Sequence, residues 1–261
     1  MYTHNLDPVL LDLGFFAIRW YSLSYIFGIL AGWWLGKKII VHVLTTTNIR
    51  FKLSDFDDLI SYIIISLVLG GRFGYIIFYN LDYYIKHPID AVKIWEGGMS
   101  FHGALIGIII GTYLFAARKN IQTFFILDII ACVSPIGIFF GRIANFINGE
   151  LIGKVTTVSW GVVFPLVDML PRHPSQIYEA LLEGIILFVL LNIRVFKKEY
   201  KIGTCSCLFL IYYGIFRIIS EIFREPDDQI GYLFDLFSMG TMLSFFMIIS
   251  GLLILNFNKR S

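Results

Sequence analysis

Apolar blocks close to 20 residues long recur along the whole of this 261-residue chain, at about 17–40, 58–79, 98–117, 122–147, 176–195, 203–223 and 236–257. A helix needs roughly 20 apolar residues to cross ~30 Å of hydrocarbon, and backbone in lipid must satisfy its own hydrogen bonds, so each block reads as a spanning helix. The expected fold is an all-α integral membrane protein with seven transmembrane helices, one polytopic domain over residues 1–261. Composition agrees: 57% of residues are hydrophobic and 15% are charged, against about 25% charged in an ordinary soluble domain.

Charge in the connections sets the orientation. The first, third and fifth connections and the C-terminus carry twelve Lys and Arg, from Lys37 to Arg260, whereas the opposite side carries six: Arg19, Lys86, Lys93, Lys154, Arg172 and Arg224. The cation-rich side belongs inside, which places the N-terminus outside and the C-terminus in the cytoplasm, a parity that requires an odd number of spans. Asp7 and Asp12 stand where a cleavable signal would have a basic region, so the N-terminal segment is expected to be retained. A net charge of +2 without a basic stripe argues against nucleic acid as a partner. Cys132, Cys205 and Cys207 lack histidine neighbours at ligand spacing, so no metal or cofactor is expected.

Ionisable groups inside a bilayer are costly, and each is a functional candidate by default. Here they are Arg72, His102, Arg142, Glu179, Glu183, Arg217 and Glu221, with Glu150 at a boundary. Arg217 and Glu221 are four residues apart, on one helix face within ion-pair reach, and a plain structural pair is one reading of them. Glu179 and Glu183 repeat that spacing with two acids, which repel unless cations from another helix, such as Arg72, intervene. His102 follows the paired glycines of Trp95-Glu-Gly-Gly-Met-Ser-Phe-His102, which permit a tight re-entry of the chain before a helix starts. Arg142 and Asn145 share a face in a helix expected to end at Asn148-Gly149, and a guanidinium fork in a low-dielectric site suits the oxygens of a phosphate. Glycines spaced by four, at 28, 32 and 36 and at 103, 107 and 111, let helix backbones approach. The segments from His173 to Gln176 and from Arg224 to Asp228 read as the start and the end of helices.

Several of these stretches resemble one family. Asn5-Leu-Asp-Pro8, Ile18-Arg-Trp-Tyr21, Gly71-Arg-Phe-Gly-Tyr75, Gly97-Gly-Met-Ser-Phe-His-Gly103, Gly141-Arg-Ile-Ala-Asn-Phe-Ile-Asn-Gly-Glu150, His173-Pro-Ser-Gln176 and Arg224-Glu-Pro-Asp227 occur in the order found in prolipoprotein diacylglyceryl transferases of the bacterial inner membrane. The resemblance runs from end to end, and its most specific part is the stretch from Gly141 to Glu150. It implies seven spans with an outward N-terminus and a site toward the periplasm. It also implies transfer of the sn-1,2-diacylglyceryl group of phosphatidylglycerol to the lipobox cysteine of a prolipoprotein signal peptide, forming a thioether and releasing glycerol 1-phosphate. The partners implied are phosphatidylglycerol, the prolipoprotein and surrounding membrane lipids. By resemblance Arg142 binds phosphatidylglycerol together with Asn145, Glu150, Gly153, Tyr21 and Tyr213, while Arg217 and Glu221 form an essential pair and His102 belongs to the site. A thiol must lose its proton to attack, and His102 is the candidate base. Lys154 stands where the family signature usually has arginine and Ile152 where an aromatic is common, which puts a headgroup contact from Lys154 in doubt. The competing reading is a transporter of lipids or anionic solutes, since intramembrane Arg and Glu also mark substrate pathways; against it stands the absence of internal repeats.

Overall fold

The computed structural model describes residues 2–14, 17–47, 49–94, 97–198, 200–226, 232–233 and 237–260. The sequence features at Trp95, Asp227 and Asp228 lie outside these residues. Helices dominate: α1 (Trp20–Thr46), α2 (Leu53–Tyr79), α3 (Leu81–Lys86), α4 (Phe101–Lys119), α5 (Thr123–Asn148), α6 (Ser175–Glu179), α7 (Leu187–Val195), α8 (Thr204–Glu221) and α9 (Met239–Arg260). A 3-10 stretch, Pro88–Val92, follows α3, and a π-helical stretch, Ala180–Ile186, joins α6 to α7 without a break. Among the described residues six helical runs are long and apolar enough to cross a membrane: α1, α2, α5, Ser175–Val195, α8 and Met239–Phe257. The block at 98–117 forms α4, 19 residues long and capped at its start by Ser100.

Helix ends depart from the apolar blocks because helix formation follows capping and packing as well as hydropathy. Helix α2 begins at Leu53, five residues before its block, since Ser54 and Asp55 are first-turn residues that apolarity alone ignores. Short strands are a second departure. Tyr2–Thr3 (β1) pairs in parallel with Val162–Val163 (β4), which pairs antiparallel with Pro171–Arg172 (β5). Val9–Asp12 (β2) and Ala17–Arg19 (β3) form a hairpin, so residues 17–19 are strand and not the start of the first span. Tyr232–Leu233 (β6) pairs with Phe237–Ser238 (β7). At two to four residues each, they are too short to show alternation in sequence.

The chain forms two compact units, one of residues 1–39 and 128–261 and the other of residues 40–127. In the second, α2 and α4 run antiparallel with their backbones in contact. A Cβ on Gly70 or Gly74 would strike Gly103, and one on Gly107 would strike Ser66 and Gly70. Small residues are the general means by which helices approach in lipid, where no hydrophobic force drives them together. At the far end Lys119 Nζ sits 2.7 Å from Asp55 and 3.1 Å from Asp58.

In the first unit, α1 lies against α5 where Gly28 faces Gly137. The N-terminal segment is tucked against the end of α5: His4 is buried, donates its backbone N–H to Val163 and packs on Phe146 and Phe164. Asp128 on α5 was absent from the ionisable groups singled out above, yet it is buried and its carboxylate organises the start of α8. It accepts the backbone N–H groups of Gly203 and Ser206 at 2.6 Å, and the hydroxyls of Tyr200 and Ser206. The first amides of a helix have no intrahelical acceptor, and a carboxylate there meets both that need and the helix dipole. Asp128→Ala is expected to lower stability by about 2–4 kcal/mol, the cost of several buried donors losing a charged acceptor. Thermal unfolding in detergent measures it, and an unchanged midpoint would contradict this role.

Candidate active site

Helix α5 carries Arg142 two turns before its end, and α6 with its π stretch carries Glu179 and Glu183. Helix α8 carries Arg217 and Glu221 in its last turns, and Arg224 follows. These residues converge. Arg142 Nε lies 2.8 Å from Glu179 Oε2, and Arg142 Nη2 lies 3.4 Å from Glu183 Oε2. Arg217 Nη1 lies 2.8 Å from Glu179 Oε1 and 3.7 Å from Glu183 Oε1, while its Nη2 pairs with Glu221. Arg224 Nη1 reaches Glu179 Oε1 at 3.3 Å.

Three guanidiniums therefore meet three carboxylates, with Glu179 at the hub, and the cluster is formally neutral. Charge balance is what makes so many ions tolerable away from water, since an unpaired one costs several kcal/mol. Glu179 and Glu183 are fully buried, whereas Arg142 keeps part of its side chain exposed. Its Nη1 has no partner among the described residues, so one donor edge of the fork is open to an incoming anion.

Close packing puts Arg142 there. A Cβ on Gly184, in the π stretch, would lie 2.7 Å from Phe139 Cβ and 3.0 Å from Phe139 Cα, one turn before Arg142. Backbone contact between α5 and the π stretch thus brings Arg142 onto the two glutamates. Gly184→Ala is expected to push the helices apart, stretch the Arg142–Glu183 pair first and cut activity on the order of 10²-fold, the scale of a 1 Å misplacement. Full activity in that variant would contradict the packing argument.

Helix α5 ends at Asn148, and Gly149 and Leu151 both take positive φ, +67° and +55°. The resulting tight loop is pinned by the start of α6: Ser175 Oγ donates to the Leu151 carbonyl at 3.0 Å and Gln176 Nε2 to the Glu150 carbonyl at 2.6 Å. Within the loop, Asn145 Nδ2 and Asn148 Nδ2 donate to Glu150 Oε1 at 2.7 and 3.2 Å. Asn145 thus spends a donor on Glu150, although its spacing from Arg142 suggested a shared anion. Gly153 forms a bridge with Arg224, and a Cβ there would strike the carbonyls of His173 and Phe223, so this position admits only glycine. Lys154 Nζ donates to the Ile222 carbonyl at 3.0 Å, which occupies it at the end of α8.

Arg172 fastens the surrounding loop. It binds Asp168, Glu225 and the Gly153 carbonyl. The guanidinium holds the Asp168 carboxyl below the usual carboxylate range. Asp168 therefore ties the loop at neutral pH, and the tie is lost as pH falls through its lowered pKa.

Tyr213, one turn before Arg217, is buried, stacks on Phe209 and lies within electrostatic reach of Glu183, Arg142 and Arg217. The Tyr21 hydroxyl accepts a bond from Tyr25 at 3.1 Å. His102 belongs to the other unit, in the first turn of α4, where Ser100 caps the helix by accepting the Gly103 N–H at 3.2 Å. The cations that offset Glu179 and Glu183 are Arg142 and Arg217. Arg72, expected in that role, gives its donors to backbone carbonyls between Asp90 and Gly98.

The residues from Arg142 to Glu150 and the arginine–glutamate cluster fall within a family model. The model for prolipoprotein diacylglyceryl transferase matches residues 8–257. The chain belongs to the prolipoprotein diacylglyceryl transferase family. Relatives named phosphatidylglycerol–prolipoprotein diacylglyceryl transferase are similar over nearly their whole length. One from Ehrlichia canis (strain Jake) is 50% identical over 250 residues, 94% of each chain. One from Rickettsia bellii (strain OSU 85-389) is 49% identical over 250 residues, 95% of this chain and 94% of the relative, and one from Rickettsia akari (strain Hartford) is 48% identical over 249, 95% of each. Glu179, Glu183 and Arg224 complete the charge cluster without being among the site residues expected from the sequence. The signal for the first two was present in their spacing, two acids on one face of a span; Arg224 was masked by its position beside a helix-ending proline.

Proposed function

We propose that this protein transfers the sn-1,2-diacylglyceryl group of phosphatidylglycerol to the thiol of a lipobox cysteine in a prolipoprotein signal peptide, the first step of bacterial lipoprotein maturation. Near-full-length likeness to relatives named for this transfer carries the reading. It favours transfer over transport. The proposed setting is the bacterial inner membrane, crossed seven times by a single membrane domain with its N-terminus outside and its site toward the periplasm; the unequal distribution of Lys and Arg supports that orientation.

In the reaction the cysteine sulfur bonds to the terminal glyceryl carbon as that carbon's bond to the phosphate oxygen breaks. Glycerol 1-phosphate leaves, and the thiol proton passes to a base. Charge grows on the departing phosphate, and a guanidinium fixed beforehand stabilises it without reorganising. Arg142, clamped on two sides by Glu179 and Glu183 with Nη1 open, is the group we assign to the phosphate. Arg217, held between Glu179 and Glu221, supplies the second cation, and Glu221 orients it. Asn145, Glu150, Gly153, Tyr21 and Tyr213 are assigned to the phosphatidylglycerol site; Glu150 and Gly153 act through the loop that ends α5.

The assignment of His102 as the base for the thiol rests on its chemistry, an imidazole able to take up a proton, and on the family resemblance. His102→Gln is expected to slow thiol attack and leave phosphatidylglycerol binding intact. Equal loss of binding and turnover would count against it. The proposed activity is tested by incubating purified protein with phosphatidylglycerol and a lipobox peptide. Glycerol phosphate should be released with the cysteine peptide and not with its serine counterpart; release independent of the cysteine would refute transfer.

A further inference from the structure

The connection between α2 and α4 has an unusual construction. Arg72 lies on α2 seven residues before the helix ends at Tyr79, about 10 Å inward along the axis at 1.5 Å per residue. It is buried, yet no carboxylate among the described residues pairs with it. Its guanidinium instead donates to the carbonyls of Ala91 (2.9 Å), Asp90 (2.6 Å), Lys93 (3.2 Å), Gly98 (3.2 Å) and Gly97, and it lies over the Tyr84 ring. Leaving α2, the chain therefore turns back and runs alongside its last two turns.

The same segment presents an uncovered apolar row. Ile85, Ile89 and Val92, spaced by four and three residues, are 68%, 76% and 69% exposed. Its polar side is distinct from this row: Asp90 accepts from the Tyr83 hydroxyl at 2.7 Å and pairs with Lys93 at 2.6 Å, and Asp82, Lys86 and His87 are exposed. Arg72 meanwhile satisfies carbonyls that water would otherwise have to reach, which is the condition for irregular backbone away from water. Exposed apolar rows of this kind mark an interaction surface, and direct continuity with a spanning helix identifies its occupant as lipid.

We propose that residues 81–94 form an in-plane lipid-contacting segment, its Ile85, Ile89 and Val92 side chains seated among the lipids and its backbone clipped to α2 by Arg72. Segments of this type bind by apolar area buried a few ångströms below the headgroups. In this protein the clip fixes the depth. Arg72 also joins the segment to the start of α4, because Gly97 and Gly98 lie three and two residues before the capping residue Ser100, whose N–H donates to the Gly71 carbonyl at 2.9 Å.

The test uses the full chain in vesicles of phosphatidylcholine and phosphatidylglycerol, with nitroxide attached at Ile85→Cys, Ile89→Cys or Val92→Cys. The native cysteines, Cys132, Cys205 and Cys207, are buried. Relaxation by lipid-soluble oxygen should exceed that by a water-soluble nickel complex at all three positions, as at the exposed position Phe78→Cys on α2, and the order should reverse at Lys86→Cys. Nickel dominance at the three apolar positions would overturn the proposal. So would inaccessibility to both reagents, which would mean that protein covers the row. In Arg72→Lys, which keeps the charge and loses the fork, the label at position 89 should shift toward nickel; no shift would refute the clip and leave only the lipid contact.

Discussion

Replacing Glu179 with alanine is expected to abolish diacylglyceryl transfer and to destabilise the protein by about 3–5 kcal/mol, the usual cost of removing one partner from a buried ion cluster. Glu179 is fully buried and touches Arg142, Arg217 and Arg224 at once, at 2.8, 2.8 and 3.3 Å. Without it three guanidiniums would face one another with only Glu183 and Glu221 to balance them, and the two that we assign to the phosphate would lose their common anchor. Glu179→Gln keeps the shape and an acceptor oxygen but not the charge, so its loss should be smaller in stability and nearly as severe in turnover. Thermal unfolding in detergent, read beside the transfer rate, separates the two effects. Wild-type stability and rate in Glu179→Ala would contradict the hub assignment.

Arg142→Ala is expected to remove phosphatidylglycerol binding and lower kcat/KM by at least 10²–10³-fold, the range for deleting one preorganised donor to developing charge. The fold should suffer less than in the glutamate variant, because Glu183 keeps Arg217 at 3.7 Å and Glu179 keeps two arginines. Arg142→Lys should fall between the two, since an ammonium retains the charge and cannot span Glu179, Glu183 and a phosphate together. Equilibrium binding of labelled phosphatidylglycerol measures this, and normal affinity in Arg142→Ala would sink the assignment of this residue to the headgroup.

Much of this architecture is written in local pattern. Long apolar runs announce helices because lipid permits few alternatives, and the Asn148-Gly149 turn ends α5 where its residue types require. Arg217 and Glu221 pair as their spacing dictates. What local pattern does not carry is which helix meets which. The partner of Glu179 and Glu183 could have been any intramembrane cation, and the choice of Arg142 and Arg217 depends on how Gly184 packs against Phe139, a contact between segments some 45 residues apart in sequence. Asp128 escaped notice for a related reason. One acid in an apolar block looks like an isolated charge until the fold supplies the amides of Gly203 and Ser206, and the loop strands near 162 and 171 are too short to leave any periodic trace.

The reaction itself is decided by the intact mass of a lipobox peptide after incubation with purified protein and phosphatidylglycerol of defined acyl chains. The peptide should gain the mass of that diacylglycerol minus water, carry it through a thioether on its cysteine, and remain unmodified with Arg142→Ala protein. An unchanged peptide mass with wild-type protein that demonstrably binds the lipid would contradict the account.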